Sequence, residues 1–211
     1  MNTDRLMKQI EFILEIDKLK QIFRQNVITE VHRNENDAEH SWHLAVMAIV
    51  LQEYLQDKNI DVLRVIKMLL IHDIVEIDAG DTFCYDEKAH EDKAERECKA
   101  AERIFNILPK DQAQEIWDLW QEFEKKETPE AQFAACIDRL QPLLLNYYTE
   151  GHTWHKPGVT PEKVLKRNSI IEKHMPEIWK YVKEIVKDSV NKGYFEKKQR
   201  SLDEECYKNL Y

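Results

Sequence analysis

Glycine and proline are scarce in this chain, at 4 and 6 of 211 residues. Few breakers, set among abundant Leu, Ile, Glu, Lys and Ala, exclude a turn-rich β architecture and favour helices. Alternating apolar and polar runs long enough for a sheet are also missing. No stretch approaches the ~20 uninterrupted apolar residues needed to span a bilayer, so no membrane partner is expected. The 4 cysteines (Cys84, Cys98, Cys136, Cys206) form no CxxC pair and show no regular spacing. That usage fits structural thiols in a reduced, cytoplasmic setting. The opening MNTDRLMKQIEFILEI lacks the basic and long apolar regions of a secretory signal. Positive charge is in short supply as well: the formal net charge is −9. A protein built to grip nucleic-acid backbones needs a basic surface, so nucleic acid is not an expected partner. A small phosphorylated substrate remains compatible.

What is present is a succession of amphipathic segments. Leu6, Ile10, Ile13, Leu14, Ile16 and Leu19 recur near the 3.6-residue period, with Thr3 as a plausible N-cap. RQNVITEVHRNENDAEH loses the period and reads as a loop. Further helices are predicted from Asp37 or Ala38 through EHSWHLAVMAIVLQEYLQ, and from Val62 to about Ile77 with Asp61 as cap. DAGDTFCYDEKAH reads as a loop, and EDKAERECKAAERIFNIL as a charged helix closed by Pro109. DQAQEIWDLWQEFEKK, then PEAQFAACIDRLQPLLLNYYTE with Pro142 inside it, continue the helical series. One or two last helices follow between Val164 and about Lys192. Trp117, Trp120 and Phe123 share a helical face suited to a core or a subunit interface. GHTWHKPG either borders a site or caps the preceding helix, and FEKKQRSLDEECYKNLY reads as a solvated, partly helical tail. The expectation is one all-α domain over residues 1–211, a bundle of seven or more helices, with those of 161–211 packing on the rest.

The chemistry concentrates in HDIVEIDAGD, residues 72–81, which ends an otherwise apolar helix. Imidazole and carboxylate together suit a divalent ion such as Mn, Fe, Co, Ni or Zn. Glu76 lies four residues after His72, one turn along on the same face, where an acid or base for water would stand. Two ligands do not complete a site, so the others must be polar residues set oddly on apolar faces. His40 opens the oily helix AEHSWHLAVMAIVL, and Asp138 interrupts AQFAACIDRLQPLLL. A carboxylate there is costly unless neutralised by a cation or hydrogen bonds. His40, His72, Asp73 and Asp138 could therefore close around one ion. Each also has a bland reading. His40 could be a core histidine with a partner, and His43 a packing residue. Asp138 could pair with Arg139, and the acidic turn could simply face water.

Taken together, ENDAEHSWHLAVMA, LLIHDIVEIDAGD and FAACIDRLQPLL resemble the HD-domain metal-dependent phosphohydrolases, named for their His-Asp doublet. Within them the chain looks most like the group containing the bacterial 5′-deoxynucleotidases. The resemblance runs from about Lys18 to Asn146. It implies a mononuclear site with His40, His72, Asp73 and Asp138 as ligands of one divalent ion per chain, drawn from Mn, Co, Fe, Ni, Zn or Mg. It implies that Glu76 and Asp81 assist the attacking water and the leaving group. A basic residue ahead of the first metal histidine contacts substrate phosphate in the family; Arg24 is the best match here and Arg33 the second. Gln25 departs from the deoxynucleotidases, in which an aromatic tends to follow that arginine. The implied activity is release of phosphate from (deoxy)nucleoside 5′-monophosphates by a homodimer. Three alternatives stand beside it: a nucleotide phosphodiesterase, a guanosine tetraphosphate hydrolase and a non-enzymatic nucleotide-binding regulator. A binuclear site would need further histidines between doublet and last Asp, where only His90 lies. The adjacent Glu-Asp pair of the tetraphosphate hydrolases is replaced by Glu76-Ile77-Asp78.

Overall fold

The computed structural model of the chain describes residues 3–30, 33–86 and 88–196. Its elements run α1 (Thr3–Ile16), β1 (Phe23–Val27), β2 (Asn34–Asn36), α2 (Asp37–Leu51), α3 (Val62–Ile71), α4 (Glu76–Ala79), α5 (Lys93–Phe105) and α6 (Lys110–Lys125). There follow α7 (Pro129–Tyr148), α8 (Pro161–Asn168), α9 (Ile170–His174) and α10 (Pro176–Lys192). The architecture is helical, as predicted. No helix among the described residues is long and apolar enough to cross a membrane.

The central element is α7. Phe133, Ala134, Ala135, Cys136, Ile137 and Leu140 are all buried, so this helix is enclosed on nearly every side. It touches α2, α3, α6, α8, α9 and β1. Thr128 caps its first turn by accepting from the Ala131 N–H, and Pro129 occupies the N-terminal position that tolerates a missing donor. Small residues on one side let neighbouring helices approach closely. Trp120 and Phe123 of α6 are buried, Phe105 meets Trp117 and Trp120 edge-on, and this aromatic cluster belongs to the core. A single apolar cluster extends from Phe12 to Phe195, so the last helices share the core of the first. Phe195 stacks on Trp154 with ring centroids 4.8 Å apart. Gly151 (φ 80°) lies beneath that contact, where a Cβ would stand 2.3 Å from the Tyr194 carbonyl oxygen.

The sequence reading needs correction in four places. First, residues predicted as one loop contain an antiparallel hairpin, β1 with β2, pairing Phe23 with Asn36 and Val27 with Asn34. The partners are four residues apart on one strand and two on the other, so β1 bulges between them. The Asn34 side chain spans the bulge by donating to the Arg24 carbonyl at 2.7 Å. Strands this short and polar carry no alternation to read. Second, the helix expected from Val62 to Ile77 ends at Ile71, and His72–Val75 tighten into a 3-10 turn before α4. Third, three helices rather than one or two follow residue 160. Fourth, Thr3 is itself helical, within α1, rather than its cap. Of the predicted tail, residues 197–211 lie outside the described residues, as does Cys206.

Candidate metal centre

Three local devices bring the polar residues inward. Along α3, Val65, Met68 and Leu69 are buried at helical spacing, and the same stripe continues to His72. The apolar face that anchors α3 thus carries an imidazole into the interior. On α2, Asn36 and Glu39 form a capping box: the Glu39 N–H donates to Asn36 at 2.9 Å. That fixed start places Asp37 and His40 on the buried side of the first turn, both with no exposed surface. On α7, Pro142 lacks the N–H that would bond the Asp138 carbonyl four residues earlier, which loosens the helix at that residue.

The four predicted ligands meet. Ligand atoms of His40, His72 and Asp73 all lie within 4.8 Å of one another. Asp138 Oδ1 stands 3.2 Å from His40 Nε2 and 3.8 Å from His72 Nε2. His72 Nδ1 donates to the Leu69 carbonyl at 2.9 Å, leaving the lone pair on Nε2. That buried Nε2 makes no well-aligned hydrogen bond, although Asp73 Oδ2 lies 3.2 Å from it. A bare imidazole nitrogen facing two carboxylates is what a divalent cation requires, so the donor set fits one. Phe123 packs on the His72 ring with centroids 4.8 Å apart, which limits its rotation.

His40 is oriented by residues the sequence reading missed. The Gln141 amide donates to Glu35 at 2.6 Å, which fixes its carbonyl end toward His40 Nδ1 at 3.1 Å. The Nδ1–H is thereby held and Nε2 turned toward Asp138. Gln141 follows Asp138 by three residues on an otherwise apolar face, and that interruption was a readable signal. Glu35 and Asp37 sit in the acidic run NENDAEH, where nothing distinguishes a buried carboxylate from a solvated one.

Arg24 reaches the centre from the bulge of β1. Its Nη1 donates to Asp73 at 2.8 Å and Asp37 at 3.2 Å, and lies 3.6 Å from Asp81. Arg33 does not reach it: half-exposed, it grips Glu39 in bidentate fashion at 2.6 and 2.8 Å at the start of α2. Glu76 lies at the edge of the cluster, with Lys93 Nζ 3.5 Å away. The 3-10 turn changes its alignment from the one predicted. Residues three apart eclipse in that geometry, so Glu76 follows Asp73 rather than His72. His43 contacts the Gln141 amide at 3.3 Å, a supporting position.

Charge crowding sets the protonation of these groups. Burial raises the Asp73 and Asp138 carboxyls, but the imidazoles and Arg24 more than offset it and hold both well below the usual carboxylate range. Burial and Arg24 pull His40 down, yet contacts with Asp138, Glu35 and Asp73 lift it to about 9. Burial, with the Asp73 charge, pushes Asp37 up to about 8 and Glu76 up to about 9. Asp81 is raised chiefly by burial, against the pull of Arg24. A cation among these carboxylates would reverse the balance and favour neutral, ligating imidazoles.

The cluster opens into a cavity of 390 Å³. His72, Asp73, Glu76, Asp81, Asp138 and Arg24 are on its wall. GHTWHKPG both caps and borders: His155 meets the Glu150 carbonyl at 2.9 Å, while Lys156 contacts Gln25 and lies 4.5 Å from the Phe83 ring centre.

Residues 16–179 match the family model described as HD domain. The chain is 31% identical to the 5′-deoxynucleotidase HDDC2 of Homo sapiens over 150 residues, 71% of either chain. It is 33% identical to the 5′-deoxynucleotidase HDDC2 of Dictyostelium discoideum, over 67% of this chain and 77% of that one. The crystal structure of a predicted metal-dependent phosphohydrolase from Magnetospirillum magnetotacticum MS-1 superposes with a TM-score of 0.86 at 53% identity. That match covers 92% of this chain and 97% of the other. With its doublet, the flanking His40 and Asp138 and the helical scaffold all in place, the chain belongs to the HD-domain family.

Proposed function

We propose that this protein is a metal-dependent phosphomonoesterase that releases phosphate from deoxynucleoside 5′-monophosphates. The observation that carries the reading is the convergence of His40, His72, Asp73 and Asp138, with His72 Nε2 facing two carboxylates. The relatives named as 5′-deoxynucleotidases support the substrate class. A cavity of 390 Å³ falls in the ~300–1,000 Å³ range of small-molecule sites.

His40, His72, Asp73 and Asp138 would hold the ion. When bound, it supplies a Lewis-acid charge that acidifies water and draws electron density from a phosphoryl oxygen. The chain's own groups handle the protons. Glu76 is mostly enclosed, and its Oε2 has no hydrogen-bond partner. It is placed to pass a proton to the departing 5′-oxygen. Asp81, raised by burial against the pull of Arg24 3.6 Å away, is the candidate acceptor of the water's proton. Arg24 offsets charge at the centre while holding Asp73 and Asp37 in place. We further place the protein in a reducing, cytoplasmic compartment, because Cys84, Cys98 and Cys136 are free thiols, and read it as a homodimer.

The test is Asp138→Asn, assayed for bound metal and for phosphate release from deoxy- and ribonucleoside monophosphates with Mn or Co. Loss of both metal and turnover is expected, with deoxy forms preferred by the parent protein. Full activity of the parent in thoroughly chelated buffer would overturn the scheme.

A further inference from the structure

The cavity wall carries several cations, and most are already committed. Arg24 Nη1 is shared by Asp73 and Asp37. Lys93 lies between Glu76 and Glu97. Lys126 donates to the Glu124 carbonyl at 3.4 Å and covers the Phe123 ring. Arg139 and Arg167 are the guanidiniums of this wall that no carboxylate engages among the described residues. Arg139 follows the ligand Asp138 on α7, and Arg167 comes from the last turn of α8. Arg139 Nη1 donates to the backbone carbonyl of Arg167 at 2.9 Å, so the two residues touch. Both line the cavity and the crevice behind Cys84 and Pro142. Among the described residues, neither guanidinium has a carboxylate within ion-pair distance.

Two half-buried guanidiniums on one cavity wall without a counter-ion are unfavourable on their own. Burial first, then the Arg167 charge, lowers the Arg139 pKa, the opposite direction from Arg24. Guanidinium is also the side-chain group best matched to phosphate, since it can offer two parallel N–H donors.

We propose that Arg139 and Arg167 form the seat for the substrate's phosphate, with Arg24 chiefly maintaining the carboxylate array. The inference rests on the phosphomonoesterase reading and assigns the phosphate-gripping role to residues outside the motifs that define the family. It makes α8, rather than the bulge of β1, the element that orients the phosphate against the ligand cluster.

Arg167→Gln is the informative variant, because α8 contributes none of the metal ligands; Arg167→Lys keeps the charge and loses the fork. The probes are deoxynucleoside monophosphate turnover and inorganic phosphate as a competing product, with the metal-loaded protein. Losing charge-assisted hydrogen bonds should raise KM and the phosphate inhibition constant about 10- to 100-fold. The loss should fall more on KM than on kcat, with bound metal unchanged and partial recovery in Arg167→Lys. Unchanged KM and phosphate inhibition in an active Arg167→Gln protein would overturn the seat and leave the enzymatic reading intact. Phosphate binding that is lost in Arg167→Gln, in a parent protein that hydrolyses no phosphomonoester, would sustain the seat and overturn the reaction. An Arg167→Gln protein that unfolds is replaced by Arg167→Lys, whose unchanged KM and phosphate inhibition would likewise count against bidentate recognition.

Discussion

Glu76 shows what a single buried carboxyl does to the pH dependence of this fold. Its folded value of about 9 lies far above the ordinary 4.5, because burial and Asp73 oppose ionisation. Between those values the native state binds a proton that the unfolded chain has released. Stability therefore falls as pH rises through that window. Asp37, raised to about 8, adds to the same slope. In chelator-treated protein, Glu76→Gln should make this decline shallower, so the variant gains on the parent at about pH 8.5 relative to about pH 5.5. Urea midpoints at the two pH values decide it, and parallel declines would refute the assignment. The candidate ligands His40 and Asp138 were legible because each interrupts an apolar stripe, and His72, Asp73 and Glu76 because they end one as a doublet and an acidic turn. Glu35 and Asp37 were not, since burial of an acid inside an acidic run leaves no mark in composition. Arg33 shows the converse: a basic residue at suitable spacing was taken up by Glu39, six residues away and on the surface.

At the scale of the element, Pro142 in the middle of α7 stands out. An interior proline costs a helix ~3 kcal/mol in lost hydrogen bonding and steric conflict. Here the freed carbonyl belongs to Asp138. The Pro142 carbonyl itself accepts from Asn26 at 3.3 Å and Asn146 at 2.9 Å, so neighbours support the loosened turn. Pro142→Ala restores the missing N–H. It should stabilise the chelated protein, by at most ~3 kcal/mol, while weakening metal binding through a changed Asp138 backbone. Competitive metal titration beside urea unfolding separates the two effects; a variant that binds metal as tightly as the parent would dissociate Pro142 from the site. Helices with a clear 3.6-residue period were readable to within a few residues. The hairpin was not, because it is held by Asn34 and by packing on α7 rather than by its own pattern.

For the whole molecule, the remaining question is what covers its exposed apolar surface. Trp42, Val46, Ile49 and Val50 lie at one helical face of α2 and are 64%, 40%, 52% and 59% exposed. Hydrophobic residues clustered in this way mark an interaction surface more often than chance scatter does. If a second copy meets this face, Trp42→Glu should convert a dimer to a monomer in sedimentation velocity while bound metal persists. A dimer that survives the change would place the interface elsewhere, and a monomeric parent would remove it altogether. The overall helical architecture was legible from scarce glycine and proline. The assembly was not, because an exposed stripe on α2 has the same period as a buried one.

His40 and Asp138 are 98 residues apart, yet their side chains meet at 3.2 Å. A ribosome adding ~5–20 residues each second delivers the last ligand roughly 5–20 s after the first. Until then the emerging polypeptide offers an ion only His40 and the His72–Asp73 doublet, without the helix that braces them. If these four residues take an ion, its capture is a late event in the life of the chain and marks the moment when α7 has docked.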